Sequence, residues 1–341
     1  MKSVEAGWQA EATRRKRLRM WLVVITMVFV VFLVVAWAVV TQPILTSARS
    51  AISVASVDTA RLQAHVLMLS QQLVPRDSEH PENLDRVAAY IREQFVAAKA
   101  NVSEQPYQVN GKTYRNVIAL FGPDSKERIV VGAHYDSAGE FPAADDNASG
   151  VAGLIELAYL LGNAQLPMRV ELVAYSLEEP KYFGTEHMGS AIHAALLKRQ
   201  GVSLRAMLSL EMIGYFSDAP DSQHFPSSLL KSFYPSQGNF ITVVGKLGQG
   251  SLVRRVKRAM RAATPLPVYS INAPQSLPGI DFSDHLNYWN EGYQAVMISD
   301  TAFYRNHRYH TAEDTANTLD YQRMAMVVQG VYVAVQMLAE P

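Results

Sequence analysis

Five short clusters of His and carboxylate residues stand out in a chain of 341 residues that contains no cysteine. The first follows the apolar run Ile129-Val130-Val131 and reads Gly132-Ala133-His134-Tyr135-Asp136-Ser137. A His at a strand end with an Asp two residues on suits a metal ligand plus a carboxylate that accepts the ring's other N–H. Alone, such a pair is more often an ordinary hydrogen bond. The second cluster, Ala144-Asp145-Asp146-Asn147-Ala148-Ser149-Gly150, leads into a helical pattern. One helix cap needs one such residue and this loop offers four; a carboxylate there also suits a bridge between two cations. The third, Ser176-Leu177-Glu178-Glu179-Pro180, sets two acids after an apolar strand. They read either as a metal-bound Glu beside a general base or as two surface acids in a solvated loop. The fourth embeds Glu211 in the apolar Leu208-Ser209-Leu210-Glu211-Met212-Ile213-Gly214, where an unpartnered carboxylate is anomalous. The fifth runs Asn306-His307-Arg308-Tyr309-His310-Thr311-Ala312-Glu313-Asp314-Thr315.

Together the clusters supply two His and three carboxylates as candidate ligands, with one Glu to spare. That is the inventory for two divalent cations sharing a bridging carboxylate, zinc first among them. The missing cysteines exclude disulfides, thiolate-bound metals and thiol nucleophiles. His187 and His193 lie six residues apart, share no helix face and read as ordinary histidines. Gly245-Lys246-Leu247-Gly248-Gln249-Gly250 fits no nucleotide-binding spacing.

The elements that must position these residues alternate along the chain. Strand-like runs lie at Val117–Leu120, Ile129–Val131, Arg169–Tyr175, Ala206–Ile213, Phe240–Val244 and Ala295–Ile298. Helical periodicity covers Val57–Leu73, Pro81–Lys99, Ala148–Leu161, Glu186–Lys198, Ser251–Ala263 and Tyr321–Leu338. This order predicts a three-layer α/β/α sandwich with a mostly parallel mixed central sheet. In such sheets, sites lie beyond the carboxyl ends of the strands.

Ahead of these elements, Met20–Val40 holds 21 residues without a charge. At about 1.5 Å per residue a helix of that length crosses a hydrocarbon layer of roughly 30 Å. Ala36-Trp37-Ala38 resembles a signal-peptide cleavage site, but the apolar run is longer than such signals carry, so it reads as an anchor. Arg14, Arg15, Lys16, Arg17 and Arg19 precede it and place the N-terminus in the cytoplasm. The expected organisation is a basic cytoplasmic segment 1–19, a transmembrane helix 20–41, a tether 42–56 and an extracytoplasmic domain 57–341, periplasmic or extracellular. The formal net charge of zero divides accordingly: residues 1–19 carry six Lys+Arg and two Glu, the remainder 25 basic and 29 acidic residues. The zero overall charge argues against a nucleic-acid binder that works by bulk positive charge.

In their order the five clusters resemble the M28 family of co-catalytic zinc peptidases, and the resemblance runs from about Leu62 to Leu338. It implies two zinc ions, with His134 and Glu211 on the first, Glu179 and His310 on the second, and Asp146 bridging both. It implies Glu178 as general base and acid, Asp136 as the partner that orients His134, and Tyr309 as a stabiliser of the oxyanion. Ser283-Asp284-His285 matches a stretch near the substrate pocket, with Asp284 supporting the ligands and His285 not among them. The family usually has Asp where this chain has Glu211. The implied activity is removal of N-terminal amino acids from peptides. A glutaminyl-peptide cyclase and a non-catalytic receptor-like or scaffold protein of the same fold are the alternatives.

Overall fold

The computed structural model describes residues 2–44 and 55–340. A long helix α1 (Lys2–Thr41) is followed by α2 (Thr59–Leu67) and α3 (Pro81–Ala97). The strands β1 (Asn101–Val109), β2 (Lys112–Phe121) and β3 (Glu127–His134) lead to α4 (Gly150–Leu161). Then come β4 (Arg169–Tyr175), α5 (Gly189–Arg199), β5 (Ser203–Glu211), β6 (Ile241–Lys246) and α6 (Gly250–Ala263). The chain closes with β7 (Val268–Ala273), α7 (His285–Asn290), β8 (Ala295–Ser299) and α8 (Tyr321–Ala339).

The eight strands form one sheet in the order β1-β2-β4-β3-β5-β8-β6-β7. β3 pairs in parallel with β4 and β5, β5 with β8, and β6 with β7. β1–β2, β2–β4 and β6–β8 are antiparallel. The predicted mixed sandwich is therefore present. Alternation along each strand feeds two cores: Ile129, Val131, Leu208 and Leu210 pack under α2, α3, α4, α6 and α8, while Val130, Val173 and Met207 pack under α5 and α7.

Local chemistry sets several boundaries. Asp58 caps α2 by accepting the N–H groups of Ala60 and Arg61 at 3.0 and 3.1 Å. Pro81 occupies the first turn of α3, where its missing N–H costs nothing. Asp320 caps α8 through Arg323 N–H at 2.9 Å. The pattern read as one helix over Val57–Leu73 breaks at Leu67 into a π turn, Met68–Gln72.

Two strands escaped the sequence reading. β1 is a polar, largely exposed edge strand, and β7 is six residues long on the other edge. Conversely, β5 stops at Glu211 instead of running on to Ile213, so this acid closes the strand and is not embedded in it. Of the expected tether 42–56, residues 45–54 lie outside the described residues. Thr41 and Gln42 are buried against α6 and β7.

Candidate metal centre

The site assembles at the carboxyl ends of the central strands. His134 ends β3, Glu178 and Glu179 follow β4 after two residues, Ser176 and Leu177, and Glu211 ends β5. Asp146 comes from the loop that opens α4, and His310 from the loop before α8. The backbone around them is held in unusual conformations. Ala143, Leu177, Met212 and His310 have φ of 48°, 63°, 48° and 58°, the left-handed region that costs a non-glycine residue about 1–3 kcal/mol. Each lies in or beside a loop that presents a site carboxylate or imidazole, so the fold over-determines where those side chains point.

One carboxylate faces both imidazoles. Asp146 Oδ1 lies 3.5 Å from His134 Nε2, and Asp146 Oδ2 lies 3.1 Å from His310 Nε2. Each imidazole has a second acid of its own: Glu211 Oε2 is 3.4 Å from His134 Nε2, and Glu179 Oε2 is 3.1 Å from His310 Nε2. Glu178 Oε2 stands slightly further off, 3.8 Å from His134 Nε2. Glu211 also accepts the Ser283 hydroxyl at 2.7 Å.

Among the described residues, both nitrogens of His134, Nε2 of His310 and Oε1 of Glu179 are buried without a hydrogen-bond partner. Groups of that kind are costly unless something coordinates them. His134 with Asp146 and Glu179, and His134 with Glu178 and Glu211, each bring three donor atoms within 4.8 Å of one another. A nitrogen and oxygen donor set of this kind fits divalent cations of the zinc class.

The electrostatics agree. Burial disfavours charge on His134, yet Glu178, Glu211, Asp136 and Asp146 outweigh it and raise its pKa well above the usual value. Burial likewise opposes charge on His310, and Asp146 and Glu179 carry it up to about 10. Burial and Asp146 push Glu179 up to about 8. Glu178 and Glu211 are raised by burial above all, against the pull of His134. Asp146 is the exception: burial would raise it, but the two histidines hold it below the ordinary carboxylate range. Divalent cations would reverse this crowding of acids.

Asp136 does more than face His134. Its Oδ1 is 3.5 Å from His134 Nδ1. Its two oxygens accept the backbone N–H groups of Glu178 and Glu179, both at 3.1 Å. Asp284 is fully buried, with both carboxyl oxygens unpartnered among the described residues. Burial lifts it to about 7, with His134, Glu211 and Asp136 close enough to act on it. Tyr309 stacks on His310 at 3.7 Å between ring centroids. His285 turns away to the Ile280 carbonyl and stacks edge-on against Trp289; His193 bonds the Tyr288 hydroxyl.

A supporting layer was not foreseen. Asp314 accepts the N–H groups of Asp145 and Asp146 at 3.0 and 3.1 Å. Asp145 turns its own carboxylate to Gly214 N–H and Asn306 Nδ2. Asn147 donates to Leu210 O and accepts from Gly150 and Met212 N–H, tying α4 to the end of β5. Arg76, wholly buried, donates to the carbonyls of Leu69, Tyr135, Pro142 and Ala143.

A cleft of about 420 Å³ opens above the site, lined by Asp146, Glu178, Glu179, Glu211, Phe183 and Tyr309. An apolar recess of about 90 Å³ shares Glu211, Phe282, Ala302 and Phe303 with it and is walled by Leu230 and Phe240.

The family described as Peptidase family M28 matches residues 116–335. The uncharacterized protein YfbL of Escherichia coli (strain K12) is 48% identical over 279 residues, covering 80% of this chain and 85% of that protein. Leucine aminopeptidase 1 of Ajellomyces dermatitidis is 26% identical over 225 residues, 61% of this chain. The match spans about half (52%) of that aminopeptidase's length. Among solved structures, BSAP, a zinc aminopeptidase from Bacillus subtilis, superposes with a TM-score of 0.66 at 14% identity, covering 82% of this chain and 94% of that one. A Bacteroides thetaiotaomicron glutaminyl cyclase superposes with a TM-score of 0.62 at 18% identity, over 83% of this chain and 99% of that one.

Proposed function

The chain belongs to peptidase family M28 and is a metallopeptidase, and from that premise we propose that it removes N-terminal amino acids from peptides with two divalent cations, zinc in the first instance. The observation that carries this reading is the double-facing carboxylate of Asp146, with one oxygen toward each imidazole and a separate acid beside each. His134 and Glu211 would hold one cation, His310 and Glu179 the other, and Asp146 both. When bound, such ions supply Lewis acidity toward the peptide carbonyl and toward water.

The protein's own groups do the rest. Glu178 borders the cleft 3.8 Å from His134 Nε2, a position that suits a group that takes a proton from water and returns it to the leaving amine. Asp136 fixes the turn that presents it. Tyr309 stays protonated, since burial and the surrounding acids push its pKa far up, and a neutral phenol at the cleft wall donates to a developing oxyanion. The apolar recess beside Glu211 receives a large apolar side chain of the N-terminal residue, and the acids around it suit a free ammonium group.

The segment Thr13–Thr41 of α1 is long and apolar enough to cross a membrane. We read it as an uncleaved anchor, with the N-terminus in the cytoplasm and the peptidase domain on the opposite side, from the basic cluster Arg14–Arg19.

The test is purification of the full chain in detergent, elemental analysis, and a screen of aminoacyl reporters with and without chelator. Two zinc per chain and chelator-sensitive release of apolar N-terminal residues support the reading. Pyroglutamate from a Gln-initiated peptide, with no free amino acid, would replace it by cyclase chemistry. Bound metal with no turnover of any peptide would replace it by a non-catalytic role.

A further inference from the structure

The carbonyls that end α1 are received by the peptidase domain itself. Thr41 O accepts Lys257 Nζ at 2.8 Å and Ser270 Oγ at 2.7 Å. Asn272 Nδ2 reaches Val39 O at 3.4 Å, and Arg254 Nη2 donates to Gln42 Oε1 at 2.7 Å. These contacts join the last turn of the apolar helix directly to α6 and β7.

Sheet topology says which end of the domain this is. The metal-centre residues sit at the carboxyl ends of β3, β4 and β5, and β8 runs parallel to β5. β6 runs antiparallel to β8, with Thr242 opposite Ser299, and β7 runs parallel to β6. Lys246 and Ala273 therefore lie at the end of the sheet away from the cleft. Going from Val39 to Thr41, α1 passes from Asn272 to Ser270, so it arrives from that far end.

That end is basic. Residues 246–258, from the end of β6 into α6, hold five Lys+Arg and no Asp or Glu, in a domain whose acids outnumber its bases. Arg254 and Arg255 are exposed on the first turns of α6, half-buried Lys246 precedes it, and exposed Lys198 lies in the last turn of α5 beside Tyr293. Among the described residues none of the four forms an ion pair. Of the acids at the same end, Asp124 pairs with Arg169 and Glu127 with Arg205, leaving Glu291 and Glu340. Leu247, between Lys246 and α6, is 48% exposed.

A hydrocarbon span of about 20 residues ending near Val40 puts this end of the domain at headgroup depth, since the polar layer adds only about 5–8 Å on each side. We propose that the sheet end opposite the cleft rests on the bilayer, with Lys198, Lys246, Arg254 and Arg255 binding anionic phospholipid phosphates around Leu247, so that the cleft opens away from the membrane. This rests on the reading of α1 as an anchor.

The absence of cysteine allows a clean test on the full chain in vesicles. A fluorophore is attached to Leu247→Cys or, at the cleft rim, to Lys181→Cys, and quenching by headgroup-labelled lipid is measured. The label at 247 should be quenched and the label at 181 should not. Quenching at 247 should strengthen when phosphatidylglycerol replaces part of a phosphatidylcholine bilayer. It should weaken in about 1 M salt, where the Debye length falls to about 3 Å. Lys198→Glu/Lys246→Glu/Arg255→Glu should shift the docked ratio by at least about fivefold per residue changed. Circular dichroism and peptidase turnover check the fold of that variant, and the salt titration of the unsubstituted chain stands if it fails to fold. Equal quenching at both positions, or indifference to lipid charge and salt, overturns the proposal. Loss of the effect on adding inorganic phosphate alone would also overturn it, by pointing to a soluble anion. Failure of the chain to float with vesicles of either composition would overturn the anchor reading and this proposal with it; flotation without charge dependence overturns only this proposal.

Discussion

Asp136 and Glu178 are joined through the backbone: the Asp136 carboxylate accepts the Glu178 N–H at 3.1 Å, and its other oxygen accepts the N–H of Glu179 at the same distance. One side chain at the end of β3 thus fixes the turn after β4 that presents both the proposed base and a proposed ligand. It also faces His134 Nδ1 at 3.5 Å.

Asp136→Asn should separate these roles. An amide keeps one acceptor and turns its NH2 toward the second backbone N–H, so the turn loses one of its two holds. The expected result is a fall of about 10–100-fold in kcat or metal affinity with the chain still folded. Steady-state kinetics across a zinc titration measure it; unchanged values for both quantities would leave Asp136 without a positioning role.

Glu178→Gln keeps size and shape but cannot carry the proton. Metal content should remain that of the unsubstituted chain, while kcat drops by roughly 10²–10⁴-fold or more. Near-normal turnover would remove Glu178 as the base. Loss of metal together with activity would make it a ligand, which the cluster it forms with His134 and Glu211 permits geometrically.

Most of the proposed ligands were legible because they sit where a strand stops or a helix starts; His310, in the loop before α8, is the exception. His134, Glu178, Glu179 and Glu211 all follow apolar runs, and an acid beside such a run is conspicuous. Their supports were not legible, for a physical reason. Asp314 acts on the backbone of residues 145 and 146, about 170 positions away, and Arg76 on the carbonyls of 142 and 143. A side chain that serves main-chain atoms leaves no complementary residue type in the sequence to pair it with. The Arg in Pro75-Arg76-Asp77-Ser78 reads as surface loop, and only the fold reveals it as wholly buried. The same holds for β1, whose edge position lets it stay polar.

Metal uptake by chelator-stripped protein should release protons. Without cations, burial and Asp146 keep Glu179 near 8, and acidic neighbours overcome burial to keep His310 near 10, so both hold protons near neutral pH. Both must lose them to coordinate. Proton release makes binding tighter as pH rises, so apparent affinity should climb through about pH 8, where Glu179 loses its proton, and on toward about 10, where His310 does. Calorimetric zinc titrations in buffers of different ionisation enthalpy count the protons. A count of zero near pH 7 would mean that neither group is a ligand.

Arg76 offers the sharpest separation of fold from site. Its guanidinium reaches Leu69 O at 2.5 Å, Ala143 O at 2.9 Å, Tyr135 O at 3.0 Å and Pro142 O at 3.1 Å. Two of those carbonyls belong to the loop that delivers Asp146, and a third follows His134. Burial lowers its pKa only to about 10, so it remains charged and adds a cation behind the acids. Arg76→Met would take the guanidinium donor from all four carbonyls, of which Ala143 O keeps the Ala148 N–H at 3.3 Å, and remove that charge. The expected cost is about 3–5 kcal/mol of stability, read as a lower urea midpoint at constant slope. Arg76→Lys keeps the charge but offers one donor group in place of a planar fork, so its stability should fall between the two. If Arg76 also positions the centre, both variants will bind zinc more weakly at temperatures far below unfolding, with Met weaker than Lys. An unchanged midpoint together with unchanged zinc affinity would show that the carbonyls need no such donor.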